Sequence, residues 1–273
     1  MSDANLGILD DYLTHGAKRL RISVHDRRVD PQSDHPNAGN RSLLDFASME
    51  FGVAAGLSRC PTMIDAYSSG DPYTGLSVRA GYSHVPRTRV KPVILSLQYG
   101  GGVLLIQGRL GGSGRQAQRL HDLHRNEFAR YWQWSDAKTL KACEEGVLVA
   151  RDGWRCLVTS RTPEFTVRNW PIQTNAAAIF RLAGLMARRL SVRICAVVHD
   201  ALLIEAPVER LELDILRTTE CLERASRMFL HGLTLRVDPK VIREGERFSD
   251  EKRGARVWAH VERTLREMEP SEA

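Results

Sequence analysis

Asp45 and Asp200 stand where the sequence could build chemistry. Asp45 closes the apolar run Leu43-Leu44 and is followed by Phe46-Ala47-Ser48-Met49-Glu50. Asp200 lies between two β-rich stretches, Cys195-Ala196-Val197-Val198 ahead of His199 and Leu202-Leu203-Ile204-Glu205 behind it. Each has an ordinary structural explanation alone: Asp45 as a helix cap, Asp200 as a turn residue tolerant of tight conformations. Together they suggest more. Two carboxylates within ~4 Å repel by roughly 4 kcal/mol at an effective dielectric of about 20. A fold that unites them needs a multivalent cation between them, and such a pair is the core of two-metal phosphoryl chemistry. At the end of a strand, Asp45 points off the sheet edge, with the Phe46 carbonyl at hand as a further oxygen ligand.

Arg87, Lys91, Leu95 and Tyr99 recur at every fourth position and run directly into Gly100. On a helix they form one stripe of two cations, an apolar side chain and an aromatic ring. A nucleoside triphosphate needs those parts in that order: cations for the phosphates, then a flat apolar surface for sugar and base. The same stripe also suits an ordinary amphipathic helix with solvated basic residues. His199 adjoins Asp200, and a histidine beside a buried hairpin serves packing as readily as function. Trp132 and Trp134 read better as core or helix-end anchors than as base-stacking platforms.

Positioning these groups takes a mixed set of elements. Residues 1–40 are polar, with basic clusters at Lys18-Arg19-Leu20-Arg21 and Arg27-Arg28 and a loop-like stretch from Asp30 to Asn37. Ser42 to Leu44 reads as a buried strand running into a helix with Glu50, Val53, Ala54 and Leu57 on one face. Ser69-Gly70-Asp71-Pro72 reads as a turn. A second helix carries Lys91 to Tyr99 and stops at Gly100-Gly101-Gly102. With Thr88 as its N-cap, Arg87 falls just outside and Pro92 falls in the first turn, where a missing N–H costs little. A third helix presents Ala117, Leu120, His124, Phe128 and Tyr131 on one side, and residues 147–160 read as strands. Asn169 to Leu190 reads as a helix with Pro171 in its first turn. After the Asp200 hairpin comes a helix with Leu211, Ile215, Leu222 and Phe229 inward. Leu233, Leu235 and Val237 then alternate with Thr234, Arg236 and Asp238, as in a half-exposed strand. Strands scattered among helices suggest an α+β sheet domain with a helical insertion.

The 273 residues are 42% hydrophobic and 26% charged, the make-up of a globular protein with an ample core. A formal net charge of +6 is compatible with a polyanionic partner. The five scattered cysteines form no C-x-x-C pair, which argues against a disulfide framework or a zinc knuckle. Reduced thiols in a cytoplasmic protein are expected. No apolar stretch nears the ~20 residues needed to cross a bilayer, and the N-terminus lacks the basic start and apolar core of an export signal. No membrane partner is expected.

Five segments in order resemble family A (DNA polymerase I-like) DNA polymerases from about residue 42 onward. Leu44-Asp45-Phe46-Ala47-Ser48-Met49-Glu50 resembles motif A, with its serine displaced by one position. Arg87-x-x-x-Lys91-x-x-x-Leu95-x-x-x-Tyr99-Gly100 resembles motif B, and Val198-His199-Asp200-Ala201 resembles motif C. Ala66 to Tyr73 is similar to the stretch between motifs A and B, and Asn169-Trp170-Pro171-Ile172-Gln173 to the N-x-P-x-Q segment before motif C. The variants suggest a divergent, phage-like branch. The resemblance implies a palm of antiparallel sheet and helices with a helical fingers insertion: residues 1–60 for the N-terminal segment and first part of the palm, 61–158 for the fingers, 159–273 for the rest of the palm. It implies DNA-templated DNA synthesis on primer–template DNA with dNTPs. Asp45 and Asp200, helped by the Phe46 carbonyl, would hold two Mg²⁺ ions. Lys91 and Arg87 would neutralise the triphosphate, and Leu95 and Tyr99 would pack on sugar and base. Glu50 would crowd the 2′ position. Asn169, Gln173 and His199 would touch the template or primer, and Gly100 would let the template base approach.

The sequence departs from the family pattern at several points. Ala201 replaces the glutamate common after the motif C aspartate, Leu95 replaces an aromatic, and Tyr73 stands where many relatives have a phosphate-contacting histidine. Only 44 residues precede Asp45, so thumb and exonuclease domains and proofreading are expected to be absent; either a separate thumb-containing polypeptide is a partner, as in a split polymerase, or the chain is a truncated remnant. Two alternatives stand beside this reading. A metal phosphohydrolase using His199-Asp200 with His121 and His124 needs that pair on a helix, whereas Ile194, Val197, Val198, Leu203 and Ile204 favour strands. A weak or inactive polymerase-like fragment would bind DNA or a partner polypeptide without turnover.

Overall fold

Ser42, Leu44 and Phe46 are buried while Arg41, Leu43 and Asp45 face the other way, and this alternation makes Arg41–Phe46 the strand β1. The computed structural model describes residues 40–243, Glu246 and 254–268. The two basic clusters before residue 40 lie outside the described residues. From β1 the chain enters helices α1 (Met49–Ser58), α2 (Pro61–Ser68), α3 (Thr74–Arg79), α4 (Arg87–Gln98), α5 (Val103–Leu110), α6 (Gly114–Glu127) and α7 (Ala129–Glu145). A short hairpin, β2 (Val147–Val149) and β3 (Arg155–Leu157), leads to the long helix α8 (Glu164–Arg189). Strands β4 (Arg193–Val198) and β5 (Ala201–Glu205), helix α9 (Val208–Phe229), strand β6 (Val237–Ile242) and helix α10 (Gly254–Met268) complete it. Among the described residues, no helix is long and apolar enough to cross a membrane.

The main sheet has the order β4-β5-β1-β6, antiparallel throughout. Strand β1 is therefore hydrogen-bonded on both sides. Its buried face and that of β5 (Leu202, Ile204) pack on α8 and α9. Helix α9 presents Leu211, Leu222, Ala225 and Phe229 to that core and leaves Glu209, Leu213 and Leu216 in solvent. The opposite face of the sheet carries Arg41, Leu43 and Asp45, with Glu205, Leu203 and Ala201 beside them on β5 and Lys240 and Asp238 on β6. The expected α+β architecture is present.

Several local expectations need correction. Helix α4 starts at Arg87 after Pro86, which is extended at φ −66°, ψ 147°. Arg87 is thus in the first turn and Pro92 lies inside the helix, where it removes one i→i−4 hydrogen bond. Helix α8 likewise starts at Glu164 after Pro163, so Pro171 is interior. Packing of buried Val93, Ile94 and Leu97 in α4, and of Ile172, Ile179 and Leu182 in α8, outweighs the missing bonds. The helix expected from Ala117 through Tyr131 breaks at Phe128 (φ −103°, ψ 35°) into α6 and α7, and α5 lies where no helix was expected. Leu233 and Leu235 precede the last strand instead of belonging to it. The Leu235 N–H donates to Ser226 Oγ at 2.9 Å, and the Arg236 N–H to the Tyr67 hydroxyl at 2.8 Å. Their partners are therefore helices α9 and α2.

Helix α1 is buried almost all round because it is built from small residues, Gly52-Val53-Ala54-Ala55-Gly56. A Cβ at Gly56 would stand 2.6 Å from Leu230 Cβ, an atom fixed by the backbone at the end of α9. Gly56→Ala is expected to lower stability by about 1–2 kcal/mol, since over-packing exceeds the gain in helix propensity. A fall in Tm of several degrees in thermal unfolding is the expected outcome; an unchanged or raised Tm contradicts this packing.

Candidate active site

At its last residue β1 pairs with the turn that precedes β5. The Phe46 N–H donates to the Asp200 carbonyl at 3.2 Å, Asp45 lies opposite Ala201 on β5, and it lies opposite Asp238 on β6. Strands β4 and β5 are joined by His199-Asp200 alone, so a tight turn presents Asp200 directly beside the end of β1. His199 takes the left-handed conformation at φ 52°, which costs a non-glycine residue on the order of 1 kcal/mol. Its Nδ1 lies 2.8 Å from Asp200 Oδ1. That bond and the Asp200 charge raise the imidazole pKa. Asp45 does not cap α1: the N-cap position is Ser48, itself left-handed at φ 53°.

Burial, followed by the charge of Asp200 and a hydrogen bond to it, pushes the Asp45 carboxyl up to about 6. Lys91 and Lys240 act in the opposite direction. Asp45 Oδ1 is buried and has no hydrogen-bond partner. The two carboxylates therefore sit close together with one acceptor oxygen orphaned, as a bound cation requires. Among the described residues, no three His, Cys, Asp or Glu side chains are grouped for a metal. A cation here would thus rest on the two aspartates with backbone oxygen and ligands from outside the chain.

An open cleft of about 530 Å³ is lined by Asp45, Phe46, Ala47, Ser48, Gly70, Arg87, Lys91, Asp200, Arg236 and Asp238. Its basic wall stands on a buried ring: the Arg87 guanidinium lies 5.2 Å and the Lys91 ammonium 5.7 Å from the centroid of Tyr73. Arg87 also meets Asp71 Oδ1 at 3.2 Å. Burial alone would raise the Asp71 pKa, but hydrogen bonds from Thr74, the Tyr73 N–H and Arg87 hold it below the usual value. A second hollow, about 640 Å³, runs along α6 past Arg115, Arg119 and Asp122. It contains neither aspartate of the pair.

The structure thus brings Asp45, Phe46, Asp200, Arg87 and Lys91 into one cleft, with His199 bonded to Asp200. Glu50, in the first turn of α1, accepts a hydrogen bond from Gln173 Nε2 on α8. The remaining sequence-derived residues do not line the cleft. Leu95 is half-buried against the core. Tyr99 is buried, edge-on to Phe165 at 5.5 Å, so its ring belongs to the packing between α4 and α8. Gly100 (φ 97°) faces the Arg168 side chain, and Asn169 on α8 has a buried, unpartnered Oδ1. His124 is fully buried, accepts from Trp132 Nε1, and is driven down to about 3 by that burial. A neutral core histidine of this kind offers nothing to an Asp200-centred phosphohydrolase. Sequence reasoning noted Arg236 and Asp238 only as polar positions in an alternating run; their place in the cleft depends on the β1–β6 register, which no local pattern encodes.

Comparison with known proteins bears on this geometry. Residues 35–244 match the family model described as DNA polymerase family A. DNA polymerase I from Bacillus subtilis (strain 168) is 26% identical over 219 residues, covering 72% of this chain and 24% of that protein. DNA polymerase I A, chloroplastic/mitochondrial, from Arabidopsis thaliana is 20% identical over 228 residues, covering 67% of this chain and 22% of that protein. The chain therefore spans about a quarter of the length of these relatives. Among solved structures, the POL domain of Pol1 from M. smegmatis, in complex with DNA primer-template and dNTP, has a similar fold. The TM-score is 0.64 at 21% identity, covering 77% of this chain and 40% of that one. With the family match running through the sheet, the carboxylate pair and the basic wall, the chain belongs to DNA polymerase family A.

Proposed function

We propose that this chain carries out DNA-templated DNA synthesis, transferring a nucleotide from a dNTP to a primer 3′-hydroxyl. The observation that carries the reading is the Asp45–Asp200 pair at the foot of a cleft whose wall bears Lys91 and Arg87. In this reading the four-stranded sheet with α8 and α9 is the palm, and residues 61–158 are the fingers. The orphaned Asp45 Oδ1 and the mutual repulsion of the two carboxyls suit a pair of Mg²⁺ ions. When bound, those ions would lower the pKa of the primer hydroxyl and offset charge on the reacting phosphate.

The protein's own groups do the positioning. Asp45 and Asp200 would hold the cations at the end of a strand, β1, that is bonded on both sides. Lys91 and Arg87 draw the triphosphate toward the carboxylates, and the Tyr73 ring beneath them limits their rotation. Glu50, tied to Gln173, walls the side where a sugar 2′-substituent would lie. His199, anchored on Asp200 and exposed, faces the primer terminus. Template and primer contacts fall to Gln173, Asn169 and Gly100, at or near the junction of α4 and α8.

Primer extension tests the reading. With Mg²⁺, primed template and dNTPs, the chain is expected to extend the primer, and Asp45→Asn or Asp200→Asn to reduce the rate at least ~100-fold with Tm preserved. Undiminished extension in both variants refutes the assignment. An unmutated chain that binds primed template but never extends it supports the inactive-fragment alternative.

The carboxylate pair also leaves a signature in stability. A folded-state value of about 6 for Asp45 lies above the ordinary ~3.9, so the folded chain holds this proton more tightly than the unfolded one. The resulting stabilisation is complete below about pH 4 and is lost as pH rises through about 6. In EDTA, Asp45→Asn is therefore expected to gain Tm relative to the unmutated chain between pH 5 and pH 7.5, and Mg²⁺ to close that gap. A difference in Tm independent of pH counts against the coupled pair.

A further inference from the structure

Arg236 is the cleft cation that the motifs do not include. It lies immediately before β6 and is held at four points. Its N–H donates to the Tyr67 hydroxyl at 2.8 Å, and its carbonyl accepts from the Ala47 N–H at 3.0 Å. Its Nη2 donates to the Gly70 carbonyl at 2.9 Å, and its guanidinium lies 5.0 Å from the centroid of the Tyr67 ring. Tyr67 is itself buried and donates its hydroxyl proton to the Ala47 carbonyl at 3.0 Å. Ala47 is two residues from Asp45, so the guanidinium is registered to the carboxylate pair through the backbone.

Adjacent residues hold two of the cleft's guanidiniums. Gly70 holds Arg236 through its carbonyl, and Asp71 holds Arg87 through its carboxylate. The two differ in charge balance. Arg87 is offset by Asp71, whereas among the described residues neither Arg236 nor Lys91 has a carboxylate within ion-pair distance. Two cations without a carboxylate partner therefore line the cleft, Lys91 from α4 and Arg236 from the residue before β6. A guanidinium has a planar fork of donors that suits two phosphate oxygens at once.

Resting on the nucleotidyl-transfer reading, we propose that Arg236 joins Lys91 in binding the β- and γ-phosphates of the incoming nucleotide and retains the pyrophosphate product. In transfer, the primer 3′-hydroxyl gives up its proton to solvent and its oxygen bonds to the α-phosphorus as the bond to the bridging oxygen breaks. The departing pyrophosphate takes that electron pair, and Arg236 pairs with the charge so released. A charge-assisted, two-pronged contact of this kind is worth roughly tenfold to a hundredfold in affinity.

The test is steady-state primer extension by the full chain with Arg236→Gln and Arg236→Lys. For Arg236→Gln the KM for dNTP and the inhibition constant for inorganic pyrophosphate are both expected to rise roughly 10–100-fold, with primer–template affinity and Tm little changed. Arg236→Lys keeps the charge without the fork and is expected to fall between, which also covers misfolding of the glutamine variant. Unchanged dNTP and pyrophosphate constants overturn the proposal, as does a loss confined to primer–template affinity or an equal fall in every constant together with Tm. If the unmutated chain does not extend primers, the polymerase reading fails separately. Calorimetric binding of Mg²⁺-pyrophosphate then decides the role of Arg236: weaker binding by Arg236→Gln supports it, and equal or undetectable binding by both overturns it.

Discussion

Two like charges held side by side constrain the whole arrangement. Asp45 and Asp200 come from distant parts of the chain, and burial together with the charge of Asp200 raises the cost of ionising Asp45. The sheet makes their approach possible by leaving neither free to retreat. Strand β1 is bonded to β5 and β6, its ladder continues to the Asp200 carbonyl, and the connection between β4 and β5 is only two residues long. A turn that short accepts a left-handed His199, whose ring fixes Asp200 in return. The local backbone cost and the charge repulsion are both borne at one place, the end of β1.

The surrounding positive charge is arranged with equal economy. Arg87 and Lys91 rest on the face of Tyr73, and Arg236 rests on the face of Tyr67. Both rings are buried, so core packing sets the orientation of the cleft cations. The segment Gly70-Asp71 links the two pedestals by holding one guanidinium at each residue. Helix α1 lies close to the same region because its glycines admit Leu230 and Leu235 at short range. Stability and site geometry thus share the same contacts.

Much of this was legible in the sequence where the signal is local. The apolar run ending at Asp45, the β-rich flanks of Asp200 and the four-residue spacing from Arg87 to Tyr99 each report on a single element. Non-local features were not legible. Arg236 and Asp238 enter the cleft through the pairing of β6 with β1, across nearly 200 residues of chain. Tyr99 shares its helical stripe with Lys91, and its ring is buried with an edge-on contact to Phe165 of α8, a partner that the stripe does not reveal. Pro92 and Pro171 looked like first-turn residues, but upstream Pro86 and Pro163 begin each helix earlier. In each case the deciding partner lies far away in sequence or on another element.

Anomalous diffraction from crystals of the chain with Mn²⁺, primed template and a non-hydrolysable dNTP analogue tests the central claim most directly. The account predicts manganese density within ~2.2 Å of oxygens from both Asp45 and Asp200, with the nucleotide phosphates directed toward Lys91. Manganese bound elsewhere, or the two carboxylates turned apart with no ion between them, would contradict it.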